Sequence, residues 1–242
     1  MMKLFLVLLI IGATAFTAAK VFQARAEHWS TDSREPLGIA PDLANTPEAV
    51  VQVYAARTYG WRGAFGVHTW IAVKPSLAKH YTVYEVIGWR AYRGGSAVAI
   101  HRRPPDARWF GNDPEIIAQA RGTDVDDLIR RIDAAALTYP YAREYRVWPG
   151  PNSNTFIAHV LRAVPELSAD LPPTAIGKDY LTDGHPFART PSGSGVQFSL
   201  FGLFGVMAGV EEGIEVNILG FTFGVDPLDL ALKLPAVGRL GI

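Results

Sequence analysis

Three runs of β-forming residues follow one another from Ala49, and the connections between them are too short for parallel strands. Ala49 to Arg57 (AVVQVYAAR), Phe65 to Lys74 (FGVHTWIAVK) and Tyr81 to Trp89 (YTVYEVIGW) are rich in β-branched and aromatic residues, which suit a pleated, half-buried surface. Gly60 to Gly66 and Pro75 to His80 lie between them. A parallel pair needs a crossover of a dozen or more residues, so the runs predict an antiparallel meander.

Composition narrows the function classes. Lys plus Arg is 23 and Asp plus Glu is 23. A net charge of zero argues against nucleic acid as a partner, because phosphate binding needs a basic surface. Apolar residues at 49% and charged ones at 19% exclude wholesale disorder. The chain has no cysteine, which excludes disulfides, thiolate metal sites and a Cys nucleophile. None of the six histidines sits in an H-x-H or H-E-x-x-H pattern, so no metal site is expected. There is no Walker loop, no G-x-G-x-x-G opening a helix and no G-x-S-x-G elbow, and no cofactor is expected either.

The first 26 residues read as an address. Met1-Met2-Lys3 is followed by the uncharged run Leu4 to Ala19, 16 residues long, and then by Lys20, Arg25 and the small-x-small triplet Ala24-Arg25-Ala26. This is a secretory signal or an uncleaved signal anchor. It spans a bilayer as a helix only if Lys20 snorkels to the interface. The expected location is the inner membrane, facing the periplasm, or the periplasm itself. Residues 27–47, polar and spaced by Pro36, Pro41 and Pro47, read as a tether.

Residues 48–191 read as an α+β core, a small antiparallel sheet with helices grouped on one side. Pro114 to Arg121 is expected as a short helix. Thr123 to Leu137 is expected as a longer one, with Thr123 as N-cap and Asp126 three residues on. Asp124, Asp126 and Asp127 complement the positive end of its dipole. Asn152-Ser153-Asn154-Thr155-Phe156 opens a further helix that Pro165 ends. Residues 192–242 read as a Gly-rich apolar β-hairpin, packed on the core or touching lipid or another protein.

Candidate chemistry reduces to one constellation. His68 lies in an apolar strand and shares a face with Trp70 and Ala72. Its plain role is a satisfied core histidine. Ser153 caps the following helix, or serves as a nucleophile there, where free backbone N–H groups stabilise an oxyanion. A serine nucleophile needs a base, so the second role requires His68 nearby. Glu85, on a face with Tyr81 and Val83, is the group expected to orient the imidazole, with Asn152 as an alternative. Trp61, Trp70, Trp89, Trp109 and Trp148 are expected in a groove or in the core.

The run Trp148-Pro149-Gly150-Pro151-Asn152-Ser153-Asn154-Thr155-Phe156, with Val67-His68-Thr69-Trp70-Ile71 upstream, resembles an uncharacterised bacterial family known as domain of unknown function 3750. The likeness continues through Pro173 to Tyr180 and the Gly-rich tail. It implies no activity. More loosely, a His on a strand of a small meander followed by Asn-x-Asn-x-Phe opening a helix is similar to circularly permuted papain-like amidases and acyltransferases, relatives of the NlpC-type peptidases, whose Cys stands in an Asn-Cys-x-x-Phe context. That resemblance implies a permuted papain-like core. It puts Ser153 on the position of their Cys and His68 on that of their His, with Glu85 as the third polar group. Serine is the departure, since its pKa lies far above that of a thiol. Two functions follow as expectations. One is a non-catalytic binding or scaffolding protein of the envelope, held to the membrane by its N-terminal helix and binding a peptide, glycan or lipid. The other is a serine-dependent hydrolase or acyl transferase acting on peptidoglycan peptide or lipid.

Overall fold

The computed structural model describes residues 32–241. The expected signal, cleavage site and N-terminal membrane helix lie outside the described residues. No helix among the described residues is long and apolar enough to cross a membrane.

The expected meander forms one sheet. Strands β1 (Ala49–Arg57), β2 (Val67–Lys74), β3 (Thr82–Val86), β4 (Val98–Arg102) and β5 (Glu115–Gly122) lie in the order β4-β3-β2-β1-β5. Every neighbouring pair is antiparallel. The third run ends as a strand at Val86, and a short helix α1 (Gly88–Tyr92) follows. Residues 115–122 correct one expectation, for they form a strand and not a helix. They pair along β1 from Ala49↔Gly122 to Ala55↔Glu115, and their backbone satisfies a sheet edge that a helix would leave open. Pro114, read as a helix start, fits equally at the entry to an edge strand.

The two faces of this sheet carry separate cores. On one, Val51, Val53, Val67, Ile71 and Val73 meet helices α2 (Val125–Leu137) and α3 (Ser153–Ala163). Val125, Leu128, Ile129, Ile132 and Ala136 recur on one stripe of α2 and are all buried, the spacing that lets a helix seal a sheet. On the other face Val50, Tyr54, Trp70, Ala72, Tyr81 and Val83 pack together, with Trp109 and Ile116 against them. The start of α2 differs from expectation. Asp124 holds the cap position without a side-chain cap bond. Asp126 instead accepts hydrogen bonds from Ser76 N (3.0 Å) and Ser76 Oγ, tying the β2–β3 turn to the helix.

The C-terminal expectation of a hairpin is corrected. Strands β6 (Phe187–Arg189), β7 (Gly195–Leu200), β8 (Phe204–Gly209), β9 (Gly213–Ile218), β10 (Phe221–Asp226), β11 (Ala231–Leu234) and β12 (Gly238–Leu240) form a second antiparallel sheet in sequence order. The apolar run from Val196 to Val210 is two strands, because Phe201 and Gly202 take positive φ and reverse the chain inside it. The protein is therefore mostly β, two antiparallel sheets with few helices.

This second sheet is turned inside out. Gln197, Ser199, Glu215, Asn217, Thr222 and Lys233 point inward and are buried. The alternate positions Val206, Ile214, Val216, Ile218, Phe223 and Leu232 point outward and are exposed. A one-faced antiparallel sheet in water normally has the reverse arrangement. The inward charges are matched: Lys233 Nζ lies 2.8 Å from Glu215 Oε1 and 2.7 Å from Asp170 Oδ2, and Lys178 pairs with Glu215.

Candidate functional site

The segment before α3 places the site. Asn152, not Ser153, is the N-cap. Its Oδ1 accepts from Asn154 N (2.9 Å) and Thr155 N (3.2 Å), while Thr155 Oγ1 accepts from Asn152 N at 3.1 Å, a capping box. Asn152 Nδ2 donates to the carbonyls of Val147 and Ile176. Gly177, at φ +99°, crosses so close that a Cβ there would collide with the Asn152 side chain. Asn154 then joins helix to sheet: it accepts from Thr69 Oγ1 at 2.9 Å and donates to Val67 O at 3.0 Å. With its neighbours so employed, Ser153 is the first residue of the helix, 5% exposed, and its hydroxyl is not needed for the cap.

His68 and Glu85 are joined. His68 Nε2 lies 2.9 Å from Glu85 Oε2, with the two residues 4% and 1% exposed. Burial pushes the Glu85 carboxyl up, but hydrogen bonds from His101 and His68 and the charge of Arg103 outweigh it and hold the group well below the usual carboxylate range. The carboxylate is thus ionised and accepts the proton on Nε2. Burial lowers the His68 pKa, against the opposing pull of Glu85, so the imidazole is neutral and its Nδ1 carries a lone pair. Glu85 also accepts from His101 Nε2 at 2.7 Å and Arg103 Nε at 3.2 Å. The sequence reading missed both residues, because it placed no strand at β4. The short apolar run Val98-Ala99-Ile100, bounded by Gly94-Gly95-Ser96 before it and Pro104-Pro105 after it, was the available signal.

The His68 ring stacks on Trp109, with centroids 3.7 Å apart and planes 17° from parallel. Trp109 stacks in turn on Trp89. These rings lie on the sheet face that carries Trp70, whereas α3 covers the opposite face. Among the described residues, no hydrogen bond joins His68 to Ser153. Both nevertheless line one cavity of roughly 650 Å³, at the ends of β2 and α3. Its walls are aromatic, with Trp61, Phe65, Trp89, Tyr92, Trp109 and Trp148 among them. Polar groups come mainly from Arg62, His68 and the Asn152–Asn154 turn. Trp70 does not reach the cavity and is fully buried, donating from Nε1 to Pro105 O. Asn152, the alternative orienter, is engaged in the cap and in two carbonyls. No group of three or more His, Asp or Glu among the described residues is placed to hold a metal ion.

Residues 48–180 match the model of a family described as a protein of unknown function, DUF3750. The chain belongs to this family. The DUF3750 region runs from the start of the first sheet to Tyr180 and takes in His68, Glu85 and Ser153. The second sheet lies beyond it. No curated protein and no solved structure matches the chain.

Proposed function

We propose that this DUF3750 protein is a binding or scaffolding protein of the bacterial envelope, and that its aromatic cavity receives an apolar ligand such as the acyl chain of a lipid. One observation carries the reading: a cavity of ligand size whose walls are mostly aromatic and whose few polar groups come mainly from Arg62, His68 and the Asn152–Asn154 turn. Ligand sites are typically about 300–1,000 Å³, largely apolar, with a few placed polar groups. A glycan would need hydrogen-bond partners spread alongside the rings, whereas an acyl chain needs only the apolar wall. The polar floor then meets the ligand's carbonyl or ester end.

The test is titration of the full chain with a fluorescent fatty-acyl probe, followed by tryptophan emission. Saturable quenching is expected, and Trp109→Ala should weaken binding about tenfold, the loss of one large ring contact. Absence of saturable binding to acyl probes would reject the ligand class.

A second reading has its own support in the His68–Glu85 pair. It takes up the papain-like resemblance, with serine as the nucleophile. Ser153 Oγ would attack an ester or amide carbonyl as its proton passes to His68 Nδ1. Glu85 would stabilise the imidazolium, and the Ser153 N–H at the start of α3 would face the oxyanion. The proton would return from His68 to the leaving group, and water would release the acyl-enzyme. Labelling by a fluorophosphonate, abolished in Ser153→Ala, would favour this reading. Unlabelled wild-type protein would remove it.

A further inference from the structure

The outer face of the second sheet has no partner among the described residues, and its register makes it a continuous apolar surface. Leu200, Phe204, Ile218 and Phe221 are aligned across β7 to β10. Phe198, Val206, Val216 and Phe223 form the next row, and Val196, Ala208, Ile214 and Val225 the third. No outward position on these four strands carries a charge or a hydrogen-bonding side chain. A monomer rarely leaves so contiguous an apolar surface to water.

We propose that this face lies on a phospholipid membrane surface, with the cavity mouth opening beside it. Four observations select lipid as the occupant. First, the face is continuous with the cavity: Phe221 belongs to the first row and also lines the cavity, and Phe65 packs near it at 6.4 Å between centroids. Second, the adjoining rim has the composition of a membrane interface. Trp61 and Trp148 are 54% and 51% exposed, and Trp148 donates from Nε1 to Leu219 O at 2.8 Å, joining rim to sheet. Amphipathic rings of this kind settle at headgroup level. Third, the exposed cations beside that rim suit anionic headgroups. Arg62 lines the cavity, and Arg90, Arg93 and Arg146 are exposed next to the lining residues Trp89, Tyr92 and Tyr145. Fourth, the sheet turns at this end have apolar tips. Leu219-Gly220 joins the paired residues Ile218 and Phe221 with φ of 53° and 81°. That two-residue turn ordinarily takes Asn-Gly. Leu219 accepts a left-handed backbone and stays exposed.

The strands, three to six residues long, are too short to span hydrocarbon, which takes about 9–11 residues per strand. The sheet therefore rests on the membrane and does not cross it. This proposal does not depend on what the cavity binds.

The absence of cysteine makes the test clean. The full chain carrying Val206→Cys is labelled with a small fluorophore and reconstituted into vesicles of phosphatidylcholine with a minority of phosphatidylglycerol. A second preparation carries the label at Arg130→Cys, on the exposed side of α2. Lipids brominated on their acyl chains should quench most of the emission at 206 and little at 130, and aqueous iodide should do the reverse. Adding Ile218→Asp and Phe223→Asp should transfer the 206 label to the iodide-quenched class. Iodide quenching at 206 in the unaltered face would overturn the proposal. So would protection of that label from both quenchers, which would mean that a second copy or another segment of the chain covers the sheet. If the double variant fails to fold, the single-label result decides alone.

Discussion

Glu85 carries more than its hydrogen bond to His68. Three cationic or potentially cationic side chains converge on one buried carboxylate, and such a group is costly to disturb because its partners are left without a counter-charge. Glu85→Gln should therefore destabilise the fold by about 3 kcal/mol in urea denaturation. The pair also sets a pH dependence. The His68 pKa is lowered in the fold, so below its ordinary value near 6.5 the unfolded chain binds the extra proton and stability falls as pH drops. Glu85, also lowered, adds a further loss below its ordinary value of 4.5. The urea midpoint should decline from pH 7 to pH 4, and His68→Gln should flatten the upper part of that decline. An identical slope in the variant would assign the titration elsewhere. The contact itself was legible: His68 and Glu85 take the same face of neighbouring strands, within diagonal reach. The positions of His101 and Arg103 were not, since they depend on pairing β4 to β3.

At the level of elements, local chemistry was read well where it was short-range and poorly where partners lay elsewhere. The meander followed from β-branched and aromatic runs joined by short connections, and the helix after Asn152 from its cap residues. The choice between Asn152 and Ser153 as the cap depended on the remote carbonyl of Ile176 and on Gly177, which no local pattern announces. Asn152→Ala should cost at least about 2 kcal/mol, the upper end for a cap, because two further hydrogen bonds go with it. Calorimetry of the full chain checks this. The inverted sheet gives a sharper contrast between neighbouring positions. Val216→Lys should alter solution stability by no more than about 0.5 kcal/mol, since its side chain is exposed. Glu215→Gln should cost about 3 kcal/mol, since two buried lysines rely on that carboxylate. Comparable losses at the two positions would show that the outer face is covered in solution. The alternation in Ile214 to Ile218 was plain in the sequence. Which side met the interior was not, because burying the apolar side is the ordinary default and the charges matching Glu215 come from separate parts of the chain.

For the whole molecule, the cavity was the least legible feature. Its rings come from segments between Tyr59 and Phe221, and nothing in their spacing brings them together. The network beneath the second sheet has a consequence for how the chain is completed. Lys178 and Asp170 lie within the region that matches the family, yet their counter-charges, Glu215 and Lys233, leave the ribosome later. The early portion is thus waiting for a later-made one, and a polypeptide stopped at Tyr180 should be cut by dilute protease far faster than the 242-residue chain. The family region and the tail are thus joined by buried ion pairs, and a tail removed or exchanged would deprive Lys178 of Glu215 and Asp170 of Lys233 unless the replacement supplied equivalent charges.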